Sequence, residues 1–374
     1  MYINVKRVIS FFLCTVIVAC TATQQRDSVI LNTWYGTYVI TEPVVLDLLA
    51  HPMFIRLKNI HQYGISCYMR HPAQAAVLSA SSYNRYDHSI GVFVLLRRYG
   101  VPLLEQIAGL LHDVSHTTFS HTADFLFKSG DGITSYQDDY HEQFLHESGL
   151  AAVLAHYGIS VQDIHHKNED FRALEQELPN LCADRLEYNL AGAFFAGLLA
   201  KDQIEHILGH IKYENGDWFF TDQAQALRFA QFPLYMTQHI WGSPASLVVN
   251  TLAGKLMRRA LENKIITLDD IHFKTDDFVW QRLYLDEKIQ REIAEIDAAL
   301  GEFSLTTNAS PHDFFVRGKF RGIDPLVQKG TELHRLTTLD QEFNNSYEQG
   351  KTVVQNGWYI QLSNNNPHIR DLLS

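Results

Sequence analysis

Apolar residues at helical spacing dominate the chain. From position 88 to 99 they occur almost all round (Ile90, Val92, Phe93, Val94, Leu95, Leu96), which marks a helix buried on every side, and Gly100 can close it. Pro102 suits the first turn of the next helix. Apolar positions 103, 104, 107, 108, 110 and 111 then follow a helical period that delivers His112 and Asp113 at the C-terminal end. Further helices are expected at 141–157, closed by Gly158, and at 179–199, which carries Asp184; Pro43 and Pro52 open two more. β-structure is predicted only in short pieces. One hairpin falls in 29–40 around Tyr35-Gly36 and another in 211–221 around Asn215-Gly216. Two strands are expected after about residue 265, the last within 352–362 around Asn356-Gly357. The prediction is a mainly α fold: a helical core with short β-hairpins over residues 20–265, and a smaller C-terminal α+β part, 266–374, packed on it.

Composition narrows the class. With 374 residues, 46% apolar and 12% aromatic, the chain is not disordered, and from Asp27 onward it has no repeat and no linker-like stretch. Its formal charge of −11 repels nucleic acid in bulk, so no nucleic-acid partner is expected. A phosphorylated small molecule can still bind where a metal and a few arginines reverse the sign locally. At the N-terminus, Lys6 and Arg7 precede an 11-residue apolar run, Val8–Val18, too short to span a bilayer. Ile17-Val18-Ala19-Cys20 resembles the lipobox of bacterial lipoproteins. That implies a signal peptide at 1–19, lipidation of Cys20 and an exported, membrane-anchored protein on the periplasmic side; Thr21 differs from the Asp that commonly retains lipoproteins at the inner membrane. Of the other cysteines, Cys67 and Cys182 lack zinc-site spacing.

Candidate chemistry begins with a His-Asp pair. The dipeptide occurs twice, and context separates the two. His312-Asp313 follows Pro311 in a polar stretch and reads as a loop turn. His112-Asp113 ends a buried helix, follows His88 on another, and precedes His116, His121, Asp124 and His141. Imidazoles and carboxylates from neighbouring helices suit a divalent first-row metal that keeps positions open for water and a phosphate oxygen. The candidate ligands are His88, His112, Asp113 and Asp184. His116 lies one turn beyond His112 and faces the same cleft if the helix continues. His121 and His141, with Asp124 able to orient one of them, are candidates for proton transfer near neutral pH.

At these residues the sequence resembles the HD superfamily, in particular the sterile-alpha-motif/HD deoxynucleotide triphosphohydrolases and their bacterial relatives. The motifs are Asn84-Arg85-Tyr86-Asp87-His88, Leu110-Leu111-His112-Asp113-Val114-Ser115-His116, Phe119-Ser120-His121-Thr122-Ala123-Asp124, His141-Glu142 and Asp184-Arg185-Leu186-Glu187-Tyr188. Weaker echoes follow at Thr275-Asp276-Asp277 and Lys319-Phe320-Arg321-Gly322-Ile323-Asp324-Pro325. The resemblance implies an HD-domain helical core, one divalent transition metal or Mg ion on His88, His112, Asp113 and Asp184, and acid/base work by His121 supported by Asp124 and His141. It implies phosphate contacts from His116, Arg85 and Arg185, with Gln62 and Tyr188 on the nucleoside side. The expected activity is hydrolysis of a phosphoester or phosphoanhydride in a nucleotide-like small molecule; a nucleotide-binding or regulatory module without turnover is the reading from another class. Two departures bear on substrate. Gly192 stands where nucleotide-cleaving relatives carry an Asp for the sugar hydroxyl, and Gly242-Ser243 follows Trp241 where a basic pair is usual. Oligomeric state is left open, with a homo-oligomer among the expected partners.

Overall fold

Two glycines set how closely the central helices approach. The computed structural model describes residues 27–69, 82–128, 135–165, 167–308, 310–362 and 372; residues 1–19, expected to be a signal peptide, and Cys20 lie outside them. Strands β1 (Val29–Thr33) and β2 (Gly36–Ile40) form the expected hairpin, followed by helices α1 (Pro43–Ala50) and α2 (Pro52–Ile55), each begun by its proline. Helix α3 (Arg85–Arg98) starts at Asn84, whose Oδ1 accepts from the Asp87 N–H at 2.9 Å. It is buried along its length from His88 to Leu96 and packs on α4 (Leu103–Leu111). A Cβ on Gly109 would lie 2.5 Å from Leu96, and one on Gly91 would lie 2.5 Å from Glu187 of helix α8, so a side chain at either junction would force its neighbour to move.

Helices α5 (Thr122–Phe127), α6 (Tyr136–Glu147), α7 (Leu150–His156) and α8 (Ala183–Phe195) complete the first half. The single helix expected over 141–157 is two, because Gly149 takes a left-handed conformation (φ 87°) that ends one and starts the next. Helix α9 (Lys201–Leu208) leads into the hairpin β3 (Ile211–Glu214) and β4 (Asp217–Phe220), and then α10 (Gln223–His239) and α11 (Pro244–Glu262) follow.

The C-terminal part contains α12 (Leu268–Phe273), α13 (Asp276–Leu285), α14 (Glu287–Leu300), strands β5 (Phe303–Thr306), β6 (Phe314–Val316), β7 (Leu326–Lys329) and β8 (Glu332–Arg335), a short α15 (Leu336–Leu339), α16 (Gln341–Asn356) and β9 (Trp358–Leu362). It packs on the core by sharing a sheet with it: β7 pairs in parallel with β4 in the order β3-β4-β7-β8, while β5-β9-β6 forms a separate sheet. The expectation that a strand runs from residue 352 is corrected. Thr352–Asn356 ends α16, and Gly357 (φ 69°) terminates that helix before β9, so the Asn-Gly pair marks a helix end rather than a hairpin. His312-Asp313 lies outside any helix, before β6, as read.

Among the described residues the fold is mainly α, and no helix is long and apolar enough to cross a membrane. Two large apolar cores fill it. One surrounds α3 and α4; the other is built on α11 and α14. The segment 112–121 bridges them, with Val114 buried in the first core and Phe119 in the second.

Candidate metal centre

Three helices deliver the predicted ligands to one point. His88 comes from the first turns of α3, His112 caps the C-terminus of α4, and Asp184 sits in the first turn of α8, where the helix dipole favours a carboxylate. The Nε2 atoms of His88 and His112 are 3.1 Å apart, and Asp184 Oδ1 lies 3.1 Å from the first and 3.3 Å from the second. Asp113 closes the group, with Oδ2 3.4 Å from His88 Nε2 and Oδ1 3.6 Å from His112 Nε2.

The donor chemistry shows whether a cation fits. His88 Nδ1 meets the Glu187 carboxylate, and His112 Nδ1 lies 2.7 Å from the Gly109 carbonyl oxygen, so each Nδ1 carries the proton and donates. With both rings neutral, the two Nε2 lone pairs face each other across 3.1 Å, beside two carboxylates. Such a set repels itself unless positive charge occupies its centre. Donors about 2.1 Å from a cation stand roughly 3.0–3.5 Å from one another, the spacing found here. His88, His112 and Asp184 thus form a group able to hold a metal ion, with Asp113 beside it. Without an ion, a second proton on His88 supplies that positive charge. Burial opposes the charged form of His88, yet Glu187, Asp184 and Asp113 push its pKa up to about 10. Burial likewise opposes ionisation of Asp113 and Asp184, but Arg85, His112 and His116 hold the first well below the usual carboxylate range, and His112 and His88 lower the second.

The remaining predicted residues distribute unequally. The helix does not continue past His112; a turn with the His116 N–H on Asp113 O (3.0 Å) replaces it, and still places His116 Nε2 3.2 Å from Asp113 Oδ1. Burial and Arg85 depress the His116 pKa to about 3, so the ring is neutral and its Nε2–H donates to Asp113. His121 stands edge-on to His116, ring centroids 5.0 Å apart, and its Nδ1 is 3.1 Å from Asp124 Oδ2. Its side chain is 43% exposed, the most open of the set. Asp124 therefore orients His121. His141, buried in α6, has its Nδ1 2.9 Å from Ser115 Oγ.

Both arginines expected on phosphate are engaged with carboxylates. Arg85, only 3% exposed, places Nη1 2.5 Å from Asp113 Oδ2 and donates from Nε to Ser120 Oγ at 3.1 Å. Arg185 pairs with Glu175 (2.6 Å) and donates to the Asn180 carbonyl at 3.1 Å. On the other side, Tyr188 has its ring 6.5 Å from His88 and 5.8 Å from Trp241, and Gln62 leaves a buried Oε1 with no hydrogen-bond partner among the described residues.

Three contributions lie within the resembling motifs but were given no role from sequence. Glu187 follows Asp184 by three residues on the same helix face, a spacing that could have signalled it. Asp276, at the start of α13, accepts from the Phe119 N–H (2.7 Å) and the His61 N–H (2.8 Å), a role that the Thr275-Asp276-Asp277 echo did not reveal. Arg321 and Lys319 arrive from the segment before β7, which is anchored beside α8 by the Asp324 N–H on the Pro179 carbonyl (3.1 Å). Arg321 and Arg185 both oppose the burial that pushes the Tyr188 phenol up to about 12.

Comparison with known proteins agrees with this geometry. The HD domain family matches residues 85–182. A metal-dependent phosphohydrolase, cns2 of Cordyceps militaris, is 31% identical over 304 residues, covering 78% of this chain and 83% of that protein. The deoxynucleoside triphosphate triphosphohydrolase SAMHD1 of Danio rerio is 30% identical over 149 residues, but only 34% of this chain and 22% of that protein align. A phosphohydrolase from Bacteroides thetaiotaomicron shares the fold, with a TM-score of 0.60 at 15% identity over 90% of this chain and 99% of the other. Likeness along most of both chains, together with a cluster able to hold a cation, places the protein among the HD-domain metal-dependent phosphohydrolases.

Proposed function

We propose that the chain hydrolyses a phosphoester or phosphoanhydride bond in a nucleotide-like small molecule, using one divalent ion held by His88, His112, Asp113 and Asp184. The observation that carries this reading is the pair of Nε2 lone pairs 3.1 Å apart, bordered by two carboxylates and reachable past Asp184, whose side chain is 20% exposed. A bound cation would polarise a phosphoryl oxygen and make a water more acidic. The chain's own residues would do the rest. Arg85 holds Asp113 in place, and His121, fixed by Asp124 through Nδ1, keeps Nε2 to give a proton to the leaving oxygen.

Several features support a substrate with more than one negative charge and a flat, non-phosphate part. Lys319 and Arg321 add positive charge near Arg185 and Tyr188. Tyr188 and Trp241 meet edge to face, and the buried Gln62 Oε1 and Tyr63 hydroxyl await partners among the described residues. The space at Gly192 is bounded by Met236, Trp241 and the Tyr63 hydroxyl, 3.3–3.5 Å from where a Cβ would stand. An uncharged wall therefore replaces the carboxylate that the resemblance puts there, and deoxynucleoside triphosphates become one candidate class among phosphorylated nucleoside-like molecules.

The test is a screen of phosphorylated small molecules with the metal-loaded protein beside an Asp113→Ala control. Turnover of at least one of them, lost in the control, is expected. Metal retention with no turnover on any substrate would favour the alternative binding module. Lipidation of Cys20 and export belong to the same proposal; palmitate labelling that survives Cys20→Ser would refute the anchor.

A further inference from the structure

Behind the ligand set lies a carboxylate that touches neither the ion position nor solvent. Glu187 is 2% exposed, one turn after Asp184 on α8. Its Oε2 meets His88 Nδ1 and accepts from the Tyr83 hydroxyl, while its Oε1 accepts from the Tyr35 hydroxyl at 3.1 Å. Gly91 leaves the space for it, because a Cβ there would fall 2.5 Å from Oε1. Burying a carboxylate costs several kcal/mol unless charge and hydrogen bonds offset it, and an apolar side chain would fill this site at lower cost. What Glu187 adds that an apolar residue cannot is an acceptor at His88 Nδ1.

We propose that Glu187 is a positioning residue of the metal centre: it holds His88 as the Nδ1–H tautomer and thereby aims the Nε2 lone pair at the ion. Tyr83 and Tyr35 fix the carboxylate in turn. The inference rests on His88 being a ligand, as under the proposed function, and goes beyond it by assigning what sets that ligand's orientation. A folding role alone would require only hydrogen bonds to the two phenols, and a glutamine keeps these by accepting from Tyr35 and donating to the Tyr83 hydroxyl oxygen. A glutamine amide facing Nδ1, however, would donate to it and turn the ring's proton to Nε2, against the ion.

The full chain, stripped by a chelator, is titrated with Zn²⁺ or Mn²⁺ alone by calorimetry, as wild type, Glu187→Gln and Tyr35→Phe. Glu187→Gln is expected to lose about 10–100-fold in affinity while its ion-free melting temperature stays near that of wild type, and Tyr35→Phe is expected to retain affinity within a few-fold. Unchanged affinity in Glu187→Gln would overturn the proposal. If that variant does not fold, the wild type decides: ¹⁵N shifts of His88 in the zinc-loaded protein should show a protonated Nδ1 and a metal-bound Nε2, and ligation through Nδ1 would overturn the assignment. A wild type that takes up no ion would instead sink the metal centre itself.

Discussion

His88 keeps its proton up to about pH 10 when no ion is present, because Glu187, Asp184 and Asp113 outweigh the burial that opposes its charge. A metal ion must displace that proton. Apparent metal affinity should therefore rise as pH increases through neutrality towards that value, with protons released to the buffer on binding. Titration calorimetry in buffers of different ionisation enthalpy measures the release; a heat that does not vary with buffer would contradict it. His121 belongs to a different step. It touches none of the four ligand atoms, its Nδ1 is committed to Asp124, and its side chain is the most exposed of the site. His121→Ala should lower kcat by about 10²–10⁴-fold with metal content unchanged, as elemental analysis beside steady-state kinetics would show. Unchanged turnover would remove it from the mechanism.

At the scale of elements, the turn joining His116 to His121 is the least regular part of the site. Phe119 and Ser120 both take positive φ (59° and 50°), a conformation rare for residues with a side chain, and such strain persists only where the surroundings over-determine it. Asp276 accepts the Phe119 N–H, and Ser120 Oγ donates to the His61 carbonyl at 2.7 Å. Asp276→Ala strands the buried Phe119 N–H and the part-buried His61 N–H and should cost about 1–3 kcal/mol for each group left unsatisfied, read as a lower melting temperature. Turnover should fall while metal content holds, because no ligand is in that turn. Loss of metal together with turnover would show the turn to be part of the ligand scaffold. The helices themselves were largely legible: the all-round apolar run at 90–96 and the period over 103–111 predict α3 and α4, and with them where His88 and His112 lie. What periodicity could not supply was the break at Gly149 and the end of α16 at Gly357, each decided by a single left-handed residue.

At the scale of the whole molecule, long-range packing completes the site and was mostly illegible. The four candidate ligands stood out by type and context, but Asp276 and the Lys319–Arg321 segment, legible only as weaker echoes of the family, reach the site from beyond residue 265 through contacts that no local pattern encodes. Charge makes the second of these consequential. In a chain of net charge −11, a polyanionic substrate needs a local reversal of sign, which Lys319 and Arg321 reinforce beside Arg185. The double variant Lys319→Ala/Arg321→Ala should raise KM for a multiply phosphorylated substrate about tenfold, with less effect on a singly phosphorylated one and little on kcat. Equal kinetics for both substrates in the variant and the wild type would place these cations outside the binding site. The account as a whole stands on convergence of side chains from three helices on one cation, and the most direct check is elemental analysis of the purified protein and of Asp184→Ala. About one equivalent of divalent metal in the wild type, with metal and phosphoester turnover both lost in the variant, is the expected result; full metal content and activity in Asp184→Ala would contradict it.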